Sequence, residues 1–169
     1  EIGIPKGWIH LLETREDVAN MLKMDGYIDL IIPRGSNEFV KYIIQNSNIP
    51  VLGHADGICH SYIDKDVNIE EAVKLANDSK TQYVSVCNAT ETVLVHKNVA
   101  EEFLPKFKIE LDKNNVIIYG CEETNKLIEC NLANEDTYKT EYLDYALSIK
   151  VVDSLEEAIN HINTYGSGH

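Results

Sequence analysis

Short apolar runs and amphipathic stretches alternate along the whole chain. "YIDLII" (27–32), "ICHSYI" (58–63), "TVLVH" (92–96), "NVIIYG" (115–120) and "LSIKVV" (147–152) are brief and rich in β-branched residues, and they predict buried strands. Three segments between them open with a capping side chain followed three residues later by an acid: Thr14 with Asp17, Asn68 with Glu71, and Ser154 with Glu157. That spacing lets the cap and the acid satisfy each other's backbone N–H, and it predicts helices near 15–24, 69–80 and 155–165. Two more helices are expected over about 37–46 and 99–113. In the second, Val99, Phe103, Phe107 and Leu111 keep near-helical spacing and read as core rather than as a ligand box. The alternation as a whole predicts an α/β fold with parallel strand pairing. "INTYGSGH" ends in a Gly-rich turn that should lead into another strand, so the chain is expected to be an excerpt from a longer polypeptide.

Composition narrows the partners. A length of 169 residues allows one compact domain, or one and a part, with a real core. A net charge of −13 leaves no basic stripe for a nucleic-acid backbone or an anionic membrane, so neither partner is expected. No apolar run reaches the length of a membrane span and no signal-like segment opens the chain, which predicts a soluble, cytoplasmic protein. Cys59, Cys87, Cys121 and Cys130 form no CxxC pair and no disulfide framework, in keeping with a reducing compartment. His54, Cys59 and His60 lie close in sequence, but neighbours on a strand point to opposite faces and no second ligand pair has suitable spacing. No metal site is expected.

Three segments could carry chemistry. "LIIPRGSNEFVKYI" (30–43) reads as strand, turn and helix; Gly35 would let an anion approach the backbone, the helix N–H groups would favour it, and Arg34 could add a cation. A bare turn satisfies the same residues. "IPVLGHADGICHSYID" (49–64) surrounds Asp56 with two glycines and two histidines, either as a tight turn with surface histidines or as a loop in which His54 and His60 donate to an anion. "YVSVCNATETVLVH" (83–96) puts Cys87 just before a small polar segment that could open a helical turn, which would set a thiolate at positive backbone ends. From these residues alone Cys87 is either packing or a nucleophile.

Taken in order, "IDLIIPRGSNEFV", "GHADGICHSYID", "VCNATETVLVH" and "TEYLDYALSIKVVDSLEEAINHINTYGSGH" resemble the gamma-glutamyl phosphate reductase family of the aldehyde dehydrogenase superfamily over nearly the whole chain, least so at about 100–135. The resemblance implies part of an aldehyde dehydrogenase-like fold. Residues 1–64 would be the second half of a Rossmann-like nucleotide-binding domain, and 65–169 a catalytic domain truncated at its C-terminal end. The first nucleotide-binding half, an oxyanion asparagine and an oligomerisation element would lie outside this chain, which should not turn over alone.

The activity so implied is NADPH-dependent reduction of L-glutamyl 5-phosphate to L-glutamate 5-semialdehyde with release of phosphate, the second step of proline biosynthesis. Cys87 matches the catalytic cysteine that carries a thioester. Pro33, Gly35 and Ser36 fall at the turn that takes the cofactor pyrophosphate, and Glu141 where a glutamate holds the nicotinamide ribose hydroxyls. Asn88 and His169 fall beside the substrate. The family further implies a homo-oligomer at full length and glutamate 5-kinase as functional partner.

One departure from the wider superfamily is informative. Hydrolytic members carry a glutamate two residues before the glycine matching Gly53, where it activates water; this chain has Val51, which cannot act as a base. The alternatives are a cysteine-dependent acyl transferase or hydrolase, with His54, His60 or His96 as base, and a non-catalytic α/β fragment.

Overall fold

A computed structural model describes residue 3, residues 7–53 and residues 56–169. The chain divides into two compact units, Glu1–Ala55 and Asp56–His169.

In the first unit, Thr14 caps α1 (Arg15–Met21) through a complete capping box: its hydroxyl accepts the Asp17 N–H at 3.1 Å, and the Asp17 carboxylate accepts the Thr14 N–H at 3.0 Å. Ser36 caps α2 (Asn37–Asn46), which turns Val40 and Ile43 inward. Leu22, Ile31, Ile43 and Ile49 form a small core, with Val51 packed against it. The run 27–32 departs from expectation. Among the described residues it makes one parallel bridge, Ile31 to Val51, and Leu30 and Ile32 remain exposed. A β-branched run supplies strand propensity, but a strand exists only where a neighbour completes the ladder.

The second unit is built on a five-stranded sheet, all of its pairings parallel, in the order β1-β2-β5-β3-β4. The strands are β1 (Cys59–Ile63), β2 (Thr90–His96), β3 (Ile117–Gly120), β4 (Asn131–Leu132) and β5 (Ala146–Val152). Their connections run through α3 (Ile69–Thr81), α4 (Lys97–Lys113), α5 (Glu122–Leu127) and α6 (Glu135–Tyr138), and α7 (Leu155–Tyr165) follows β5. The two-residue β4 and the four-residue α6 are too short for periodicity to reveal. β1 pairs along its length with β2, so the stretch 59–63 is tied to the second unit's sheet.

Alternation along β2 divides the core. Val93 and Val95 face the large cluster that holds Phe103, Phe107 and Leu111 of α4, while Leu94 faces Val152 and Ala158 on the other side. Phe103, Phe107 and Leu111 are fully buried, in agreement with the spacing argument. Each buried phenylalanine contributes roughly 1.5–3 kcal/mol of apolar burial. At α7 the expected cap is modified: Ser154 Oγ accepts the Glu157 N–H, but Glu157 reaches one residue further back and accepts the Asp153 N–H at 2.7 Å.

Candidate active site

Parallel strands that start side by side bring their preceding loops together. The segments before β1, β2 and β5 and the residues after α7 meet at the amino edge of the sheet in the second unit. Beneath them a hydroxyl chain ties the elements: Ser61 Oγ lies 2.9 Å from Thr90 Oγ1, which donates to Ser79 Oγ at 3.0 Å.

Cys87 occupies a turn closed by the Ala89 N–H donating to the Val86 carbonyl at 3.0 Å. The expected helical turn after it is not formed. Residues 90–96 are β2 instead: Thr90 and Glu91 bury their polar groups against Ser61, Ser79 and Lys80, Thr92 is buried, and the following valines extend the strand. The helices reaching this edge, α3 and α7, arrive by their carboxyl ends, which carry the negative end of the helix dipole. Positive backbone ends therefore do not flank the thiol from the second unit.

Gly57 is the hub. Its N–H donates to Glu141 Oε1 at 2.9 Å, and a Cβ at this position would overlap the Cys87 carbonyl. The glycine loop thus admits a close approach, as its composition suggested, and what approaches is the Cys87 backbone. The next peptide N–H, of Ile58, donates to Ser167 Oγ at 3.1 Å. Cys59 Sγ donates to the Cys87 carbonyl oxygen at 3.4 Å and lies 3.6 Å from His169 Nδ1. Burial first, then the nearby Cys87, Glu91 and Glu141 charges, push the Cys59 thiol up, so Cys59 stays protonated beside the other cysteine.

The second unit therefore brings together Cys87, Glu141 and His169, with exposed Asn88 next in the chain. His60 does not join them, nor is it a surface histidine. Its Nδ1 lies 3.1 Å from the Ile58 carbonyl, its Nε2 is buried, and its ring meets His161 at 5.4 Å. His96 caps α4, its Nδ1 accepting the Asn98 N–H at 3.1 Å. His54 lies outside the described residues.

In the first unit, Pro33 is buried while Arg34, Gly35 and Ser36 are exposed ahead of α2. Gly35 has φ +154°, a backbone conformation that favours glycine, and Ser36 Oγ accepts the Phe39 N–H at 3.3 Å. A cavity of about 550 Å³ beside this turn is lined by Arg15, Ser36, Glu38, Phe39 and Tyr42. A left-handed glycine at a helix start suits a pyrophosphate, and a carboxylate held by one peptide N–H, as Glu141 is, keeps lone pairs for ribose hydroxyls. Each unit, taken by itself, carries groups of the kind a dinucleotide binds. Among the described residues, no group of three or more His, Cys, Asp or Glu could hold a metal ion.

Sequence reasoning passed over Lys80. Together with Val73 and Ala76 it lies on the buried stripe of α3, and a lysine at that spacing is the signal that a buried acid must exist. That acid is Glu91, at 2.7 Å with both side chains fully buried.

Residues 1–123 match the aldehyde dehydrogenase family. The gamma-glutamyl phosphate reductase of Acetivibrio thermocellus is 67% identical over 169 residues, covering 100% of this chain and 39% of that protein. Its counterpart in Ruminiclostridium cellulolyticum is 64% identical over 99% of this chain and 39% of its own length. The chain thus spans about two fifths of the curated relatives it matches. Among solved structures, gamma-glutamyl phosphate reductase from Thermotoga maritima superposes with a TM-score of 0.89 at 39% identity, over 92% of this chain and 38% of that one. An acetylating aldehyde dehydrogenase from Geobacillus thermoglucosidasius shares the fold at 19% identity with a TM-score of 0.64, over 91% of this chain and 42% of its own.

Proposed function

The chain belongs to the aldehyde dehydrogenase family, and on that premise we propose that it is part of an enzyme that reduces L-glutamyl 5-phosphate to L-glutamate 5-semialdehyde with NADPH, releasing phosphate. The reaction is the second step of proline biosynthesis. The 67% identity to a named gamma-glutamyl phosphate reductase supports the substrate, and the meeting of Cys87 and Glu141 on Gly57 carries the chemistry.

In this reading residues 1–64 belong to the nucleotide-binding domain and 65–169 are most of the catalytic domain, although the compact units divide at Ala55 and Asp56 and so group 56–64 with the second. The Cys87 thiolate attacks the acyl phosphate carbon, the C–O bond to phosphate breaks, and a thioester remains on the chain. The backbone N–H of Cys87 meets the developing oxyanion. A nicotinamide cofactor, when held by these residues, would supply hydride to the thioester carbon. The tetrahedral oxyanion so formed re-forms its C=O bond as the C–S bond breaks, and the aldehyde leaves with the Cys87 thiolate restored. Glu141 holds the ribose hydroxyls, Pro33, Gly35 and Ser36 receive the pyrophosphate, and Asn88 and His169 contact the substrate. Val51 is packed into its own unit's core, as an apolar residue prefers, and offers no base to hydrolyse the thioester.

The protein is read as cytoplasmic and, at full length, as a homo-oligomer that receives its acyl phosphate from glutamate 5-kinase. Among the described residues no helix is long and apolar enough to cross a membrane.

The deciding assay uses the protein at its full natural length, run backwards with semialdehyde, phosphate and NADP. NADPH formation that requires phosphate is expected, together with its loss in Cys87→Ala. Activity retained in Cys87→Ala sinks the mechanism, and NADPH formation indifferent to phosphate sinks the acyl-phosphate substrate.

A further inference from the structure

Lys80 and Glu91 are buried where neither can hydrate, and their pairing through Glu91 Oε2 uses only one carboxylate oxygen. The other, Oε1, accepts the N–H of Leu143 at 3.3 Å. Leu143 has φ +51°, a left-handed conformation that a leucine does not adopt without support from its surroundings. The preceding residue is fixed as well. Lys80 Nζ lies 5.9 Å from the centre of the Tyr142 ring, which stacks on Tyr119 at 5.6 Å, while the Tyr142 hydroxyl donates to the Thr137 carbonyl at 3.1 Å and lies 2.9 Å from Ser148 Oγ. Next along the turn is Glu141, held at 2.9 Å on the Gly57 N–H against the Cys87 backbone. A buried ion pair is not an efficient source of stability, since apolar residues of the same volume often serve as well. A lone pair aimed at a strained turn is something an apolar pair does not provide.

We propose that Glu91, with Lys80 as its counter-charge, is a positioning residue: through the Leu143 N–H it fixes the 141–143 turn and so aims the Glu141 carboxylate at the cofactor ribose beside Cys87. The inference rests on the assignment of Glu141 made under the proposed function. It makes the charge pair secondary and the acceptor at Leu143 decisive.

The test compares two variants of the full-length protein that both remove the buried charges. Lys80→Met/Glu91→Gln keeps a carbonyl oxygen for the Leu143 N–H, whereas Lys80→Met/Glu91→Leu removes it. The leucine variant should raise the cofactor KM by about tenfold or more with kcat within about threefold of wild type, the size expected for one lost hydrogen bond. The glutamine variant should restore KM to within about threefold of wild type. Amide hydrogen exchange gives a second readout: Gly57 and Leu143 should exchange faster in the leucine variant only, while Val93–Val95 of β2 stay protected in both. Equal KM in the two variants, or a loss confined to kcat, overturns the proposal. If wild type shows no reductase activity, the assignment of function fails instead; exchange then decides the positioning alone, and equal exchange at Gly57 and Leu143 in both variants overturns it.

Discussion

Gly57 and Cys87 are in backbone contact so close that a methyl group on Gly57 would overlap the Cys87 carbonyl, and it would also stand 2.8 Å from Glu141 Oε1. The Cys87 carbonyl is backbone and cannot swing aside, whereas Glu141 Oε1 ends a side chain held there by the Gly57 N–H. A glycine here therefore sets the spacing between the thiol-bearing turn and the carboxylate. Gly57→Ala should force the two apart, costing about 1–3 kcal/mol as overpacking does, and should lower activity through displacement of the Cys87 turn. Gly26 gives the contrast, since nothing lies within 4 Å of a Cβ built there. Gly26→Ala should leave activity unchanged and stability equal or up to about 1 kcal/mol higher, from the smaller freedom of the unfolded chain. Urea denaturation of both variants separates the cases, and equal stability in the two would remove the steric argument.

Cys59 and Cys87 should differ in reactivity although they are neighbours. The Cys59 thiol is pushed up by burial and by the surrounding charges, and its proton is committed to the Cys87 carbonyl. Alkylation by iodoacetamide followed by peptide mass spectrometry should label Cys87 first, by about tenfold or more, because only a thiolate attacks. Faster labelling of Cys59 would reverse the assignment of nucleophile.

Much of this arrangement was legible in the sequence, and its gaps have physical causes. The capped helices and the β-branched strands of the second unit were readable because local hydrogen bonding and burial agree there: Asn68, for example, caps α3 as its spacing predicts, accepting the Glu71 N–H at 3.2 Å. The run 27–32 was misread because its propensity is local while a strand is a relation between segments. Cys87 and Glu141 could be placed only by resemblance, since they lie 54 positions apart in sequence and the contact between them runs through Gly57. The Lys80–Glu91 pair was visible in principle as a cation on an apolar stripe; its partner was not, because a lone acid in "TETVLV" has no periodic signature.

Core packing gives a third expectation. Phe107 is completely buried and stands 5.1 Å from the Phe103 ring in the cluster that joins α4 to the sheet. Phe107→Ala should destabilise by about 3–5 kcal/mol, whereas Ile109→Ala, at a position 60% exposed on the same helix, should stay below about 1 kcal/mol. Comparable losses at the two positions would mean that α4 does not present this face to the sheet.

The most specific pH dependence comes from His161. It is buried on α7 among Tyr165 at 4.4 Å, Tyr138 at 4.9 Å and His60 at 5.4 Å, with neither ring nitrogen hydrogen-bonded. Burial above all, then the positive charges of Lys150 and His60, push its pKa down to about 4, against a small upward pull from Glu157. Because the fold disfavours the protonated ring, the unfolded chain takes up the proton first as pH falls. The stability is intact above about pH 6.5, the unfolded value, and declines by about 1.4 kcal/mol per unit between there and pH 4. His60, also lowered by burial, acts in the same direction. The lowered carboxylates Asp17, Asp64 and Glu70 lose their contribution only further down, below the ordinary carboxylate range. Moving from pH 7 to pH 5 should thus cost about 2 kcal/mol through His161. His161→Phe, which keeps an aromatic ring among aromatic neighbours, should flatten the profile by that amount in urea titrations at the two pH values. An unchanged slope in the variant would show that His161 accepts its proton in the folded state as readily as in the unfolded one.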